Sequence, residues 1–222
     1  MFGDEFEGGS RLKVKICGIT NAADALAAID CGADALGFNF YPRSKRYIDV
    51  ETARGWVDKL PAGICRVAVL VNPTLEEAVR ASELEFIDAL QLHGNESAEF
   101  CRRLAERGIR FAKALPVINA NSLVDVPSFF TSTLVLDSAS GGEFGGSGRI
   151  FPWRLARAFI KAHPALKIIL AGGLTPENVA QAVNEVRPFG VDVTSGVESS
   201  LRRKDCGLLR SFIEAARNGR KR

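Results

Sequence analysis

The feature that most constrains this chain is a rhythm. Short apolar, β-branched runs recur at 12–17, 34–40, 65–71, 88–93, 109–114, 133–137, 167–171 and 191–194. Stretches with helical patterning follow them. Strand-like runs alternating with helical ones read as βαβ units around a parallel sheet. Eight such units in roughly 205 residues leave about 26 residues each, close to the minimum for a strand plus a crossover helix. The runs are near-continuously apolar, as expected of strands covered on both faces. The pattern predicts an α/β fold: a single-domain (β/α)8 TIM barrel over 11–217, with a leader at 1–10 and a basic, frayed tail at 218–222. An open doubly wound sheet is the rival, but Cys17-Gly-Ile-Thr20 stands where its usual Gly-x-Gly-x-x-Gly would follow the first run.

Local signals agree with this frame. Thr20 or Asn21 can cap an Ala-rich helix, Thr74-x-x-Glu77 forms a capping box, and Gly108 stops a helix begun near Glu96. Thr175-Pro176 opens another, and a last helix runs over 205–218. Pro116 and Pro127 interrupt the stretch after Ala114, where the helix is least defined. Asp34, Asp88 and Asp192 each stand at a strand entrance, as if one unit were reused.

Composition removes several functions. Lys and Arg exceed Asp and Glu by 29 to 26, too even a balance to draw nucleic acid or a membrane surface. Five cysteines without a C-x-x-C, and only two histidines, argue against a disulfide framework and against a metal site. Cys31, Cys65, Cys101 and Cys206 read as packing residues. The acidic start has no apolar core and is not a signal peptide, and no apolar run has the length of a membrane span. The expected compartment is a reducing cytoplasm.

In a barrel, chemistry sits at strand C-termini and in the loops that follow. Two glycine-rich ends stand out there: Ala171-Gly-Gly-Leu174 and Thr194-Ser-Gly-Val197. Backbone N–H groups of Gly172, Gly173, Ser195 and Gly196 could hold a phosphate dianion, although glycines also merely permit tight turns. A free cysteine is by type a small buried apolar residue. The position of Cys17 points its thiol into the barrel mouth, where cationic neighbours would favour the thiolate. Asp137 closes an apolar run, as a structural cap or as a working carboxyl. The long loop over 138–149 reads as a lid. Arg43 and Lys45 read as a solvated basic loop, whereas Arg46 suits a planar carboxylate because guanidinium can pair with both oxygens. His93, two residues after Gln91, either polarises a substrate or satisfies a neighbour, and residue type favours the second. His163 reads as bland.

Taken together, Val14-Lys-Ile-Cys-Gly-Ile-Thr20, Gly37-Phe-Asn-Phe-Tyr-Pro-Arg-Ser-Lys-Arg-Tyr47, Leu90-Gln-Leu-His-Gly94, Leu136-Asp137, Gly145-Gly-Ser-Gly148, Ala171-Gly-Gly-Leu-Thr-Pro-Glu-Asn-Val179 and Val191-Asp-Val-Thr-Ser-Gly-Val-Glu198 resemble the phosphoribosylanthranilate isomerase family of tryptophan biosynthesis. The resemblance implies an Amadori rearrangement of a small phosphosugar substrate, with no cofactor, by a monomer or homodimer. It implies Cys17 as general base, Asp137 as general acid, Arg46 on the substrate carboxylate, and phosphate loops at Gly172-Gly173 and Ser195-Gly196. Gln91 and His93 fall in its substrate-binding set. The chain departs from the family pattern in its leader, at Leu201-Arg202 and at Pro152. Another phosphosugar barrel enzyme, from the indole or histidine route, and a non-catalytic phosphosugar-binding module are the alternatives.

Overall fold

The computed structural model describes residues 11–123, 128–138 and 152–220. Eight parallel strands close into a barrel in chain order: β1 (Lys13–Cys17), β2 (Ala35–Asn39), β3 (Cys65–Leu70), β4 (Ala89–Leu92), β5 (Phe111–Val117), β6 (Thr133–Ser138), β7 (Lys167–Leu170) and β8 (Gly190–Val193). Around them lie α1 (Ala22–Asp30), α2 (Val50–Val57), α3 (Leu75–Ser82), α4 (Ala98–Ala105), α5 (Trp153–Ala162), α6 (Val179–Val186) and α7 (Cys206–Arg220). A hairpin of β9 (Glu198–Ser200) and β10 (Arg203–Lys204) precedes α7. Among the described residues, no helix is long and apolar enough to cross a membrane.

Side-chain size sorts the core into two layers. Leu36, Phe38, Leu90, Leu92, Leu134 and Leu136 belong to the larger cluster, which also takes in the helix faces. The smaller cluster is built from Ala35, Val67, Ala89, Ala112, Ala114, Val135 and Ile169. These residues lie on the opposite strand faces, since successive strand side chains alternate sides. Large residues fill the wide gap between sheet and helices, and small ones fit the narrow barrel interior.

The caps form as expected. Asn21 accepts from Asp24 N, and Thr74 and Glu77 complete a reciprocal capping box. Three details differ from the sequence reading. β5 runs on through Pro116 to Val117. The Arg110 carbonyl accepts from Leu90 N–H, so even-numbered residues of β5 face β4. Pro116 therefore turns its nitrogen to the β4 side beyond the last pairing, Leu92 with Lys113, and loses no ladder bond. Between β5 and β6 the described residues hold a single 3₁₀ turn, Ala120–Leu123, in place of a helix. α6 starts at Val179, not at Pro176, because Asn178 bonds back to Thr175 N and Gly173 O and keeps that segment as a turn.

The tail expected to fray is helical through Arg220. Gly219 lies where a Cβ would approach Ala180 O to 2.5 Å, so α7 can pack closely on α6. Arg217 and Arg220 donate to Gly32 O and Pro188 O, each at 2.5 Å. Half-buried Cys31 packs against the core, whereas Cys206 is exposed and is not the packing residue the sequence suggested. The leader at 1–10, the lid loop beyond Ser138 and residues 221–222 lie outside the described residues.

Candidate active site

The C-terminal ends of the strands surround a cavity of about 350 Å³. Its lining includes Cys17, Arg46, His93, Asp137, Gly172, Gly173 and Ser195, seven of the residues singled out from the sequence. Gln91 and Gly196 lie behind the wall. Gln91 is fully buried and holds His93 through a 2.8 Å bond to Nδ1. Gly196 packs against the Leu174 carbonyl, where a Cβ would clash.

Cys17 ends β1 on the face shared with Lys13 and Lys15. Register sets its neighbours: Cys17 pairs with Gly37 on β2, and Lys15 with Asp192 on β8. The Lys15 ammonium is wholly buried and donates to Asp192 Oδ2 at 2.7 Å. Burial alone would favour a neutral amine. Asp192 and the Cys17 thiol reverse that and hold the group above the ordinary lysine range, so it keeps its charge.

Asp137 lies on β6. His93 Nε2 sits 3.2 Å from its Oδ2. With Gln91 Nε2 donating to Nδ1, the ring proton rests on Nε2 and donates to Asp137. His93 therefore both lines the cavity and satisfies a neighbour. Asp137 Oδ1 is buried with no hydrogen-bond partner among the described residues.

Arg46 has a partner within the protein. Its Nε and Nη2 already form a two-point bond to Glu198, at 2.8 and 2.6 Å. That side of the guanidinium cannot also grip a ligand, and only the end-on edge through Nη1 faces other partners. Lys204 is buried beneath, donating to Thr194 O at 2.8 Å and to Glu198 at 3.3 Å. Burial works against the Glu198 charge, but Arg46 and Lys204 outweigh it and hold the carboxyl below its usual range. Gly18, at φ +73°, gives the Arg46 stem its room: a Cβ there would lie 2.6 Å from Cδ.

The two loops expected to hold phosphate are adjacent. Gly172 and Gly173 adopt φ +84° and +64°, and a Cβ on Gly172 would collide with Ser138 N and Oγ. A 3₁₀ turn, Ser195–Val197, follows β8. Asn39, Tyr41, Arg43 and Lys45 complete the rim, so the loop read as merely solvated borders the cavity.

Sequence reasoning missed Lys15, Asp192, Glu198 and Lys204. Lys15 was detectable: Lys13-Val-Lys15-Ile-Cys17 places both lysines on the thiol's face of a buried strand, a costly position without a partner. Asp192 was read as an entrance residue, yet it is the third residue of a four-residue strand and lines the cavity. Asp34 and Asp88 do precede their strands.

Comparison with known proteins shows the family. The sequence model for N-(5′-phosphoribosyl)anthranilate (PRA) isomerase matches residues 14–215. N-(5′-phosphoribosyl)anthranilate isomerase from Rubrobacter xylanophilus is 42% identical over 207 residues, 93% of this chain and 99% of the relative. The crystal structure of phosphoribosyl anthranilate isomerase from Thermotoga maritima superposes with a TM-score of 0.81 at 40% identity, covering 92% of this chain and 98% of that one. A phosphoribosyl anthranilate isomerase in complex with reduced 1-(o-carboxyphenylamino)-1-deoxyribulose 5-phosphate superposes at 0.78 with 39% identity, at the same coverages.

Proposed function

The chain belongs to the N-(5′-phosphoribosyl)anthranilate isomerase family of tryptophan biosynthesis, and we propose that Cys17 is the general base and Asp137 the general acid of its reaction. The substrate is a furanose with an anthranilate nitrogen on C1′. The acid protonates the ring oxygen, the C1′–O bond breaks, and the nitrogen lone pair forms a C1′ iminium. The base then removes the C2′ proton, and the electron pair left behind gives an enolamine that tautomerises to the ketone. C1′ is reduced as C2′ is oxidised, so electrons balance within the substrate.

One observation carries the assignment: a thiol and a carboxyl open on one cavity, with the phosphate loops between them. β6 bears the acid and β1 the base, and β7 and β8 separate them around the barrel. A phosphate held by Gly172, Gly173 and Ser195 fixes the sugar between the two groups. His93 occupies Asp137 Oδ2 and orients the carboxyl, whose residue lines the cavity. The end-on edge of Arg46 meets the anthranilate carboxylate, with Glu198 holding its other side. A binding module would need only the phosphate loops. A reducing cytoplasm suits this chemistry, because the Cys17 sulfur must stay unoxidised to act as a base.

Cys17→Ala and Asp137→Asn should each lower kcat by about a hundredfold or more, as expected when a general acid or base is lost. Each variant should still bind the reduced product analogue. Near-normal kcat in either variant removes the role assigned to that residue.

A further inference from the structure

Several charges surround the Cys17 sulfur. Lys15 and Asp192 come from β1 and β8, Arg46 from the loop after β2, and Lys204 from β10, with Asp137 and His93 elsewhere on the cavity wall. Arg46 and Lys204 are both bonded to Glu198. Lys15 differs in its placement: it shares a strand face with Cys17, and the sulfur as well as Asp192 favours its charge. The packing keeps the two groups close. A Cβ on Gly37 would lie 2.7 Å from Cys17 Sγ and 3.1 Å from Lys15 Nζ, so the missing side chain is the space where sulfur and ammonium converge.

We propose that Lys15 is a positioning residue for the isomerisation: its ammonium holds the Cys17 sulfur as a thiolate, and Asp192 on its other side limits how much charge the sulfur feels. This rests on the reading of Cys17 as the base. A thiol takes a carbon-bound proton only as thiolate, so a fixed cation beside it sets the fraction of enzyme ready to react. Asp192 Oδ1 is buried with no hydrogen-bond partner among the described residues, so Lys15 supplies the bonding its carboxylate has there. Asp192 and Cys17 thus share one ammonium. A purely structural ion pair would need Asp192 alone and would be indifferent to the sulfur.

The two roles separate by sign. Full-length wild type, Lys15→Met, Asp192→Asn and the Lys15→Met/Asp192→Asn double variant are treated with iodoacetamide across pH, and the Cys17 peptide is followed by mass spectrometry. Burial pushes the Cys65 and Cys101 thiols up to about 11, which keeps them silent near neutrality. Lys15→Met should slow Cys17 alkylation at pH 7 by about tenfold or more and move the rising limb of the kcat/KM profile to higher pH. Asp192→Asn should move the alkylation midpoint to lower pH. The double variant leaves no lone buried carboxylate, so it keeps the test open if Lys15→Met fails to fold; its midpoint should also lie above wild type.

Midpoints that stay at the wild-type pH, or that move the same way in Lys15→Met and Asp192→Asn, overturn the proposal. Turnover retained by Cys17→Ala overturns the base assignment and this role with it. An inactive Cys17→Ala beside unmoved pH dependence in the Lys15 variants overturns the Lys15 role alone.

Discussion

β1 carries two lysines two residues apart, and the barrel treats them in opposite ways. Lys13, at the N-terminal end, faces Asp34 at 3.9 Å. Arg11 also bonds to that carboxylate at 2.6 Å, and Arg217 stands 3.9 Å from it. Lys15, one step up the same face, has Asp192 at 2.7 Å. Burial lowers the Lys13 amine below its ordinary range, with Asp34 opposing and Arg11 and Arg217 adding repulsion. The Lys15 amine is raised. At the bottom three cations share a carboxylate; at the top one cation serves a carboxylate and a thiol. Residue types are alike at both ends, so the ratio of charges and the access of water decide which end can hold a reactive sulfur.

The sharpest way to break this comparison is to disturb the top without touching a charge. Gly172→Ala places a methyl against Ser138 N and Oγ at a backbone φ of +84°. The loop must move, and a displacement of about 1 Å is enough to cost about a hundredfold in a positioned site. KM should rise by about that factor and product-analogue binding should fall with it, measured by steady-state kinetics and calorimetry. Unchanged KM would mean that the phosphate is held elsewhere.

The bottom should respond in stability alone. Asp34→Ala removes the acceptor of the buried Val14 N–H, bonded at 2.9 Å, and leaves Arg11, Lys13 and Arg217 facing one another. An orphaned buried donor costs about 1–3 kcal/mol, or a Tm loss of roughly 2–4 °C per kcal/mol in a domain this size. The solvent-exposed Arg11 contact adds little. The kcat of the folded variant should match wild type. A tenfold fall in kcat at full folding would show that the two ends are coupled.

The same contrast explains what was legible in the sequence. Strands such as β3 and β6 announced themselves because both faces are buried, leaving uninterrupted apolar runs. Cys17, Asp137 and the glycine pair were found by position, since a barrel sends strand C-termini to its mouth. Lys15 and Asp192 were hidden inside strands, and their meaning depends on β1–β8 register, which joins residues 177 apart in sequence. The grip of Glu198 on Arg46 spans 152 residues and was equally invisible. Pro116 misled because its effect depends on whether a neighbouring strand reaches it. The end of α7 misled because a basic terminal run reads as frayed, whereas here Gly219 lets it pack closely on α6.

The smallest expected effect sharpens the comparison by pH. Glu198 sits beside the top cluster, with its folded-state carboxyl held below the ordinary value of 4.5. A depressed carboxyl contributes stability that is fully present above the unfolded value and is lost as pH falls through the folded one. Glu198→Gln has no such titration, yet its side chain can still contact Arg46. At pH 7 the variant should melt slightly below wild type. That deficit should shrink as pH falls below about 4.5 and close once Glu198 is protonated in wild type as well, read from paired thermal melts across pH 7 to 3. A deficit that stays constant over that range would mean that Arg46 and Lys204 stabilise this segment by packing their stems, not by pairing with the Glu198 charge.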